Sequence, residues 1–293
     1  MKKLHITIIG LGLIGGSLAL AFRQNNKGCL QVTGTDADRL TREQAVKLQI
    51  VDIVVEDVCD SVRDADLVFL CTPVLQIVPL VEKIAPHLKQ GAILSDVGST
   101  KQYLQEELTK ILPNHIHYIG GHPMAGKEKS GITAADKDLF RNKWYILMSG
   151  AKASSQAIAL LEELISSTGA ILTTMDTGTH DRCTAVLSHV PHLAAAALVN
   201  LLEECPDPGH GRQLAGGGFR DTTRIASSNA DMWADICMTN QEAISDSLEK
   251  MQIMLQGLNE KIRRGDRQAV HAFFHNAKMR RDELLACLPE NSD

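Results

Sequence analysis

The chain carries, directly after the apolar run Leu4–Ile9, the segment Gly10-Leu11-Gly12-Leu13-Ile14-Gly15, which opens a helical pattern. The glycine spacing has mechanical reasons: Gly10 permits a tight turn, Gly12 lets the backbone approach a pyrophosphate, and Gly15 lets helix and strand pack closely. The helix N-terminus then offers unpaired N–H groups and a positive dipole end to phosphates. The segment predicts the first βαβ unit of a dinucleotide-binding domain, with a glycine-rich turn that holds no ligand as the alternative.

A carboxylate follows the second strand candidate, Leu30–Thr35, because Asp36 lies 21 residues after Gly15. At this place it accepts hydrogen bonds from the ribose hydroxyls of NAD and repels the 2′-phosphate of NADP. Arg39 keeps NADP open, since a cation can pair with that phosphate if Asp36 turns away. We therefore expect NAD as the cofactor, with further contacts from Leu13, Ile14, Thr72 and Pro73.

Residues 1–176 alternate between short β-rich runs and longer amphipathic stretches, which predicts a Rossmann-type, mainly parallel sheet with helices on both faces. Several strand candidates are continuously apolar, as expected for strands that are buried on both faces. The strand candidates are Leu4–Ile9, Leu30–Thr35, Asp66–Cys71, Ala92–Asp96, Ile116–Ile119, Trp144–Met148 and Ile171–Met175. The helix candidates between them include Gln76–Leu88, Gln102–Ile111 and Ser155–Ser167.

Residues 177–293 show only helical patterns, which predicts an all-helical second domain. The clearest helices are Val190–Leu202, Trp233–Lys261 and Gln268–Leu288, with a helix-breaking loop at 205–211 and a flexible segment at 215–218. These helices are apolar for a small isolated bundle, so we expect a homodimer that forms through this half. The alternative is that their apolar faces pack only against the first domain.

Composition excludes several classes of protein. Lys and Arg number 30 against 35 Asp and Glu, a net charge of −5 that argues against a nucleic-acid or anionic-membrane binder. We see no apolar stretch near the roughly 18 residues that span a bilayer, and no signal peptide before the first strand. The seven cysteines form no CxxC pair, so we expect reduced thiols in a cytoplasmic protein and no bound metal.

Four further segments carry groups that suit chemistry. Two follow strand candidates, where the ligand crevice of an open α/β sheet lies, and two come from the helical half, so the site is expected to close between the domains. The segments are Ser95-Asp96-Val97-Gly98-Ser99-Thr100-Lys101, His122-Pro123-Met124-Ala125-Gly126-Lys127-Glu128-Lys129-Ser130-Gly131, Ser188-His189-Val190-Pro191-His192 and Gly218-Phe219-Arg220-Asp221-Thr222-Thr223-Arg224-Ile225.

Together with the glycine turn, these segments closely resemble the prephenate dehydrogenase family, which comprises prephenate, arogenate and cyclohexadienyl dehydrogenases of tyrosine biosynthesis. The resemblance covers nearly the whole chain and implies a Rossmann domain followed by a helical dimerisation domain. It also implies NAD-dependent oxidative decarboxylation of a cyclohexadienol to a phenol and carbon dioxide. Aromatisation drives that reaction, so the protein has chiefly to orient its reactants. Prephenate is the expected substrate, with arogenate or both as the alternative.

The resemblance also implies a role for each polar residue of the site. His122 accepts the hydrogen bond of the ring hydroxyl, Ser99 holds that hydroxyl or His122, and Arg224 binds a substrate carboxylate. His192, and with it His189, contacts the side chain of the substrate. The structural alternatives are a helix cap for Ser99, a loop position for His122, packing for the other two histidines and a surface ion pair for Arg224.

Charged residues at the mouth of the site are implied at Glu128, Arg220 and Asp181, and Trp233 is expected to reach in from the partner subunit. Arg220 can instead pair with Asp221, and Asp181 can simply favour the start of a helix. Trp233 can be ordinary interface core.

Three other functions compete with this interpretation. The density of His180, Asp181, His189 and His192 can signal a metal-dependent hydrolase. A β-hydroxyacid dehydrogenase or imine reductase shares the layout but is expected to carry a lysine where these histidines lie. A non-catalytic NAD-responsive regulator needs the glycine turn and Asp36, but has no need of both His122 and Arg224.

Overall fold

The computed structural model describes residues 3–26, 28–127, 129–150 and 152–287, and its first part is a twisted sheet with helices on both faces. Within these ranges the sheet has eight strands in the order β3-β2-β1-β4-β5-β6-β7-β8. Every neighbouring pair is parallel except β6 and β7. The strands are β1 (Leu4–Ile9), β2 (Leu30–Thr35), β3 (Ile53–Val54), β4 (Leu67–Leu70), β5 (Ile93–Asp96), β6 (His117–Pro123), β7 (Trp144–Ser149) and β8 (Ile171–Thr174).

Helices cover both faces of this sheet because its central strands are apolar on both sides. All four residues of β4 are buried, and two separate hydrophobic clusters lie above and below the strands. Phe22 and Phe69 join helix to sheet in the first cluster, with ring centroids 5.4 Å apart. The helices of this part are α1 (Leu13–Asn25), α2 (Arg39–Lys47), α3 (Val58–Val62), α4 (Val74–Ile84), α5 (Gln102–Ile111) and α6 (Ser155–Ser166). The predicted mainly parallel α/β architecture is confirmed.

Two strands differ from the sequence prediction. The two-residue strand β3 was missed, since a run that short carries no detectable alternation. The predicted strand Ile116–Ile119 is too short, because β6 extends to Pro123 and pairs there with Tyr145 and Ile146 of β7. Two glycines and a proline in this extension have low strand propensity, and the antiparallel neighbour overrides it.

The second part is helical throughout the residues described, as predicted. It begins with one long helix: α7 (Thr177–Thr184) continues through a π-helical turn, Ala185–His189, into α8 (Val190–Leu202). Pro191 lacks the N–H that an α-helix needs at that position, so the widened turn before it has a local cause. The remaining helices are α9 (Pro208–Leu214), α10 (Gly217–Thr223), α11 (Ala230–Thr239), α12 (Gln241–Arg263) and α13 (Arg267–Cys287), with a 3₁₀ turn at Arg224–Ser227.

Three details of this part differ from the sequence prediction or add to it. The helix expected over Trp233–Lys261 is two helices, because the chain leaves helical geometry at Asn240. The loop expected at 205–211 contains the start of α9, which Asp207 caps by accepting the N–H of His210. The segment 215–218, expected to be flexible, includes the first two residues of α10.

One helix, Thr177–Leu202, is long and apolar enough to cross a membrane by length and composition alone, which corrects the expectation that no such stretch exists. Polar residues near its start divide the segment, so it is not one continuous apolar stretch in the sequence. Only 22% of its most apolar window is buried in the single chain. Its exposed side chains include Val186 and Leu187, so this helix presents apolar surface outside the fold of one chain.

Candidate active site

The glycine turn between β1 and α1 forms a cradle with room beside its backbone. Gly10 has a φ of +93°, and a Cβ there would meet the Cys71 carbonyl oxygen at 2.7 Å. A Cβ on Gly15 would lie 2.0 Å from the Gly10 oxygen, whereas one on Gly12 would meet no atom within 4 Å. Gly12 also caps α1 without a side-chain hydrogen bond, so the first N–H groups of that helix stay available to an anion. The cradle suits a pyrophosphate.

Three other predicted cofactor residues surround this turn. Asp36 follows β2, and its carboxylate accepts the N–H of Leu11 at 2.7 Å and that of Asp38 at 2.9 Å. Thr72 follows β4 beside Gly10, and its Oγ1 is buried without a hydrogen-bond partner, as expected for a group that a ligand would satisfy. Pro73 is exposed at the start of α4. The residues present therefore fit a dinucleotide.

Leu13 and Ile14 form the first turn of α1, and both are partly buried. Arg39 points its guanidinium at Glu43 of its own helix, with 82% of the side chain exposed. Asp36 therefore contacts the glycine turn, whereas Arg39 is paired with Glu43.

His122 lies inside β6, near the carboxyl end of the sheet, and is nearly buried. Its Nδ1 lies 2.8 Å from Nε2 of His180 in α7, which packs against it from the helical half. Burial lowers the pKa of His122 well below its usual range, and the nearby His180, Lys101 and His189 lower it further. His122 is therefore a neutral imidazole at neutral pH, and such a group can accept a proton.

Ser99 lies in the loop between β5 and α5 and is partly buried. It does not cap α5, which begins at Gln102. The N–H groups of Lys101 and Gln102 are bound instead by the Asp181 carboxylate, at 2.9 and 2.8 Å. The predicted alternative, that Ser99 caps a helix, is therefore wrong.

The structure contradicts the expectation that Asp181 lies at the mouth of the site, since only 2% of this residue is exposed. The carboxylate lies under the domain junction, where the positive end of α5 holds it. Its Oδ1 also lies 2.7 Å from Nδ1 of His180. Asp181 consequently joins α5 to α7.

A buried charged cluster was not predicted, although two of its members, Asp96 and Lys101, lie in the segment 95–101. Lys101 forms an ion pair with Asp96 in the sheet, and both side chains are almost fully buried. Asp96 also accepts the Tyr118 hydroxyl at 2.7 Å and the Gly98 N–H at 2.7 Å. Burial lowers the pKa of Lys101 and raises that of Tyr118. This cluster fixes the loop that carries Ser99.

His189, His192 and Trp233 form a second group in the helical half. The rings of His192 and Trp233 stack at 3.9 Å, and His189 meets Trp233 edge-on at 5.9 Å. His192 donates from Nδ1 to the Ser188 carbonyl at 2.9 Å, which leaves Nε2 as its free acceptor. Trp233 therefore contacts histidines of its own chain.

His189 is buried, and Asn240 links it to α7. The Asn240 amide donates to the Asp181 carbonyl at 2.9 Å and lies 3.2 Å from Nδ1 of His189. Burial lowers the pKa of His189 to about 4; His180 and His192 act in the same direction, and Asp181 opposes them. A hydrogen bond between Thr100 and Thr239, at 2.8 Å, ties the same helices to the first domain. The structure thus brings His122, His189, His192 and Trp233 into one interdomain network.

The two arginines are exposed in the single chain. Arg220 is in α10, and Arg224 begins the 3₁₀ turn that packs on α8. Glu128, the third charged residue expected here, lies outside the described residues. Among those that are described, no group of three or more His, Cys, Asp or Glu side chains is arranged to hold a metal, so the hydrolase alternative has no ligand set there.

The chain matches two family profiles that together cover most of its length. Residues 18–174 match "Prephenate dehydrogenase, nucleotide-binding domain", and residues 176–276 match "Prephenate dehydrogenase, dimerization domain". A prephenate dehydrogenase of Bacillus subtilis is 37% identical over 97% of this chain and 77% of its own. A cyclohexadienyl dehydrogenase of Zymomonas mobilis is 36% identical over 84% of each chain.

Solved structures of the same family are also similar to this chain. The prephenate dehydrogenase of A. aeolicus, crystallised with hydroxyphenyl propionate and NAD+, is 31% identical with a TM-score of 0.90, over 97% of this chain and 99% of its own. The arogenate dehydrogenase of Synechocystis is also 31% identical, with a TM-score of 0.83 over 96% and 100% of the two chains. Both resemble this chain across both of its parts.

Proposed function

Because the chain belongs to the prephenate dehydrogenase family, we propose that it oxidises and decarboxylates prephenate to 4-hydroxyphenylpyruvate and carbon dioxide with NAD. The observation that carries this proposal is the match of both family profiles, over 18–174 and 176–276. The hydrogen bond between His122 and His180 joins the two matched parts. We propose two domains, 1–176 and 177–293, because the two profiles meet between residues 174 and 176 and α7 begins at Thr177.

We propose that Gly10, Gly12 and Gly15 hold the pyrophosphate of NAD and that Asp36 holds the adenosine ribose. Leu13, Ile14, Thr72 and Pro73 complete the contacts around the turn. When bound, the nicotinamide supplies the hydride acceptor for the carbinol carbon of the substrate. The carboxylate of Asp36 disfavours the additional phosphate of NADP, and Arg39 is engaged by Glu43.

His122 then takes the proton of the ring hydroxyl. Its lowered pKa keeps the imidazole neutral, and Nδ1 is already engaged by His180, which leaves Nε2 to face the hydroxyl. Ser99, on the loop that Asp96 and Lys101 fix, holds the same hydroxyl. Loss of carbon dioxide needs no further acid or base from the protein, because aromatisation of the ring drives it.

The remaining site residues bind the substrate's carboxylates and side chain. Arg224 suits a carboxylate through its two-pronged guanidinium, and we assign a contact with the side chain of the substrate to His192. We assign supporting contacts to His189, Trp233, Arg220 and Glu128. Arogenate is the second candidate substrate, since a cyclohexadienyl dehydrogenase and an arogenate dehydrogenase are among the similar proteins.

We also infer a cytoplasmic homodimer. The helical half matches a family dimerization domain, and its last two helices expose large apolar side chains in the single chain, among them Ile253, Met254, Leu255, Ile262 and Phe274. All seven cysteines stand as free thiols, which suits a reducing compartment.

The proposal is tested by following NADH at 340 nm with prephenate or arogenate, each with NAD and then NADP. We expect turnover with prephenate and NAD, and the ratio of the two substrates ranks the alternatives. Protein that binds NAD but turns over neither substrate would contradict the proposed activity.

A further inference from the structure

Three buried side chains form a line from the helical half into the sheet. Asp181 Oδ1 lies 2.7 Å from Nδ1 of His180, and Nε2 of His180 lies 2.8 Å from Nδ1 of His122. The exposed fractions are 2%, 0% and 8%. His180 is therefore the sole bridge in this line between α7 and the imidazole assigned to catalysis.

With His180 neutral, the donors and acceptors of this line can occupy only one order. A carboxylate accepts hydrogen bonds, so Nδ1 of His180 carries the hydrogen that points at Asp181. A neutral His180 then has a bare Nε2, which must accept from Nδ1–H of His122. The proton of neutral His122 is thus on Nδ1, and its lone pair is on Nε2.

Asp181 is itself fixed, which makes the order permanent. The N–H groups of Lys101 and Gln102 bind its carboxylate at the start of α5, and its backbone oxygen accepts the Asn240 amide. His180 therefore cannot reverse its ring without losing its bond to an anchored anion. Among the residues that the structure describes, the other charged or titratable groups that act on His122 are Lys101 and His189.

We propose that His180, held by Asp181, is a positioning residue that fixes the tautomer of His122 and stabilises the imidazolium formed when Nε2 takes the hydroxyl proton. This role rests on the proposed function, because it concerns the same site. The imidazolium keeps its Nδ1–H bond to His180, and that bond strengthens when the donor becomes charged.

The test compares two substitutions that differ in hydrogen bonding. His180→Leu removes both bonds, whereas in His180→Gln the amide oxygen can accept from His122 and the amide nitrogen can donate to Asp181. We expect His180→Leu to lower kcat by about 10- to 100-fold, part of what a positioned base contributes, with KM for the substrate changed less than about threefold. His180→Gln should recover most of kcat.

Near-normal kcat in His180→Leu would overturn the proposal. Equal losses in the leucine and glutamine variants would do the same, since a purely structural histidine gains nothing from the amide. Thermal midpoints and NAD affinity of both variants serve as controls for folding.

The native protein provides a measurement that needs neither variant. In the NAD complex labelled with ¹⁵N-histidine, the His122 ring should show a protonated Nδ1 and a bare Nε2, with its signals identified by their loss in His122→Asn. A protonated Nε2 would refute the proposed order. This measurement stands even if the wild-type protein fails to turn over prephenate, so failure of the positioning role and failure of the proposed function remain distinguishable.

Discussion

His122 is the residue on which turnover should depend most. His122→Asn keeps a polar side chain in β6 but removes the basic nitrogen, so we expect kcat with prephenate and NAD to fall by about 10²–10⁴-fold and KM to change little. The measurement is initial-rate kinetics at 340 nm. His117→Asn is the matched control, because His117 lies on the same strand and binds the Lys152 carbonyl instead. Near-normal turnover in His122→Asn would remove His122 from its role.

The lowered pKa of His122 should determine how kcat/KM depends on pH. A base works while it is neutral, and burial of this imidazole favours the neutral form, so its activity is lost only as the pH falls through the lowered pKa. The acid limb of kcat/KM, which reports the free enzyme, should therefore lie below pH 6.5, the usual value for histidine. Initial rates across pH 5–9 measure this limb. A limb at or above pH 6.5 would show that burial does not set the charge of His122.

Arg224 should act on binding more than on turnover. Arg224→Ala removes a charge-assisted carboxylate contact, which at about 1.5–3 kcal/mol corresponds to a rise in KM of roughly 10- to 100-fold. Arg212→Ala is the control, since Arg212 lies in α9 of the same helical half and pairs with Glu203 on the surface. An unchanged KM for prephenate in Arg224→Ala would assign the carboxylate to another group.

At the scale of elements, two glycines of the turn between β1 and α1 should have different roles, Gly12 in NAD binding and Gly15 in folding. Gly12→Ala adds a methyl where the protein has open space, so it should cost no more than about 1 kcal/mol of stability but weaken NAD binding at least about tenfold. Gly15→Ala puts a methyl 2.0 Å from the Gly10 carbonyl and should destabilise the fold itself. Thermal unfolding and NAD titration distinguish the two. A stable Gly15→Ala variant, or an unaltered NAD affinity in Gly12→Ala, would contradict this division.

The elements also show what a sequence can reveal. The turn at Gly10 and the buried strand β4 were predictable because local sequence determines them: glycine spacing in one case, an unbroken apolar run in the other. The extension of β6 to Pro123 was not, since only the pairing with β7 stabilises it. The interdomain line through His180 was equally hidden. His180-Asp181 was noticed as a dense polar pair, but its target, His122, lies 58 residues away and belongs to the other domain.

Over the whole molecule, the two parts differ in how they bury apolar surface. The first part encloses two large hydrophobic clusters, whereas the buried cluster of the helical part contains, among the residues that the structure describes, only Ala185, Ile236 and Ile244. Within the described residues, α13 has no buried side chain at all. A helix of 21 residues with this exposure is not held by one chain alone, since helical stability in proteins comes mostly from packing. We therefore expect a second copy to cover the exposed helices of this part.

Sedimentation velocity tests this expectation of a homodimer. The protein should run at twice the 31.9 kDa of one chain. Leu255 and Ile262 lie two turns apart on one face of α12 and are 50% and 58% exposed in the single chain. Replacing both with Glu should produce monomers, because a buried interface cannot accept unpaired carboxylates. Leu40→Glu, on α2 at 66% exposure, is the matched control and should stay dimeric. Wild-type monomers at micromolar concentration, or a Leu255→Glu/Ile262→Glu variant that remains dimeric, would show that another surface or none joins the copies.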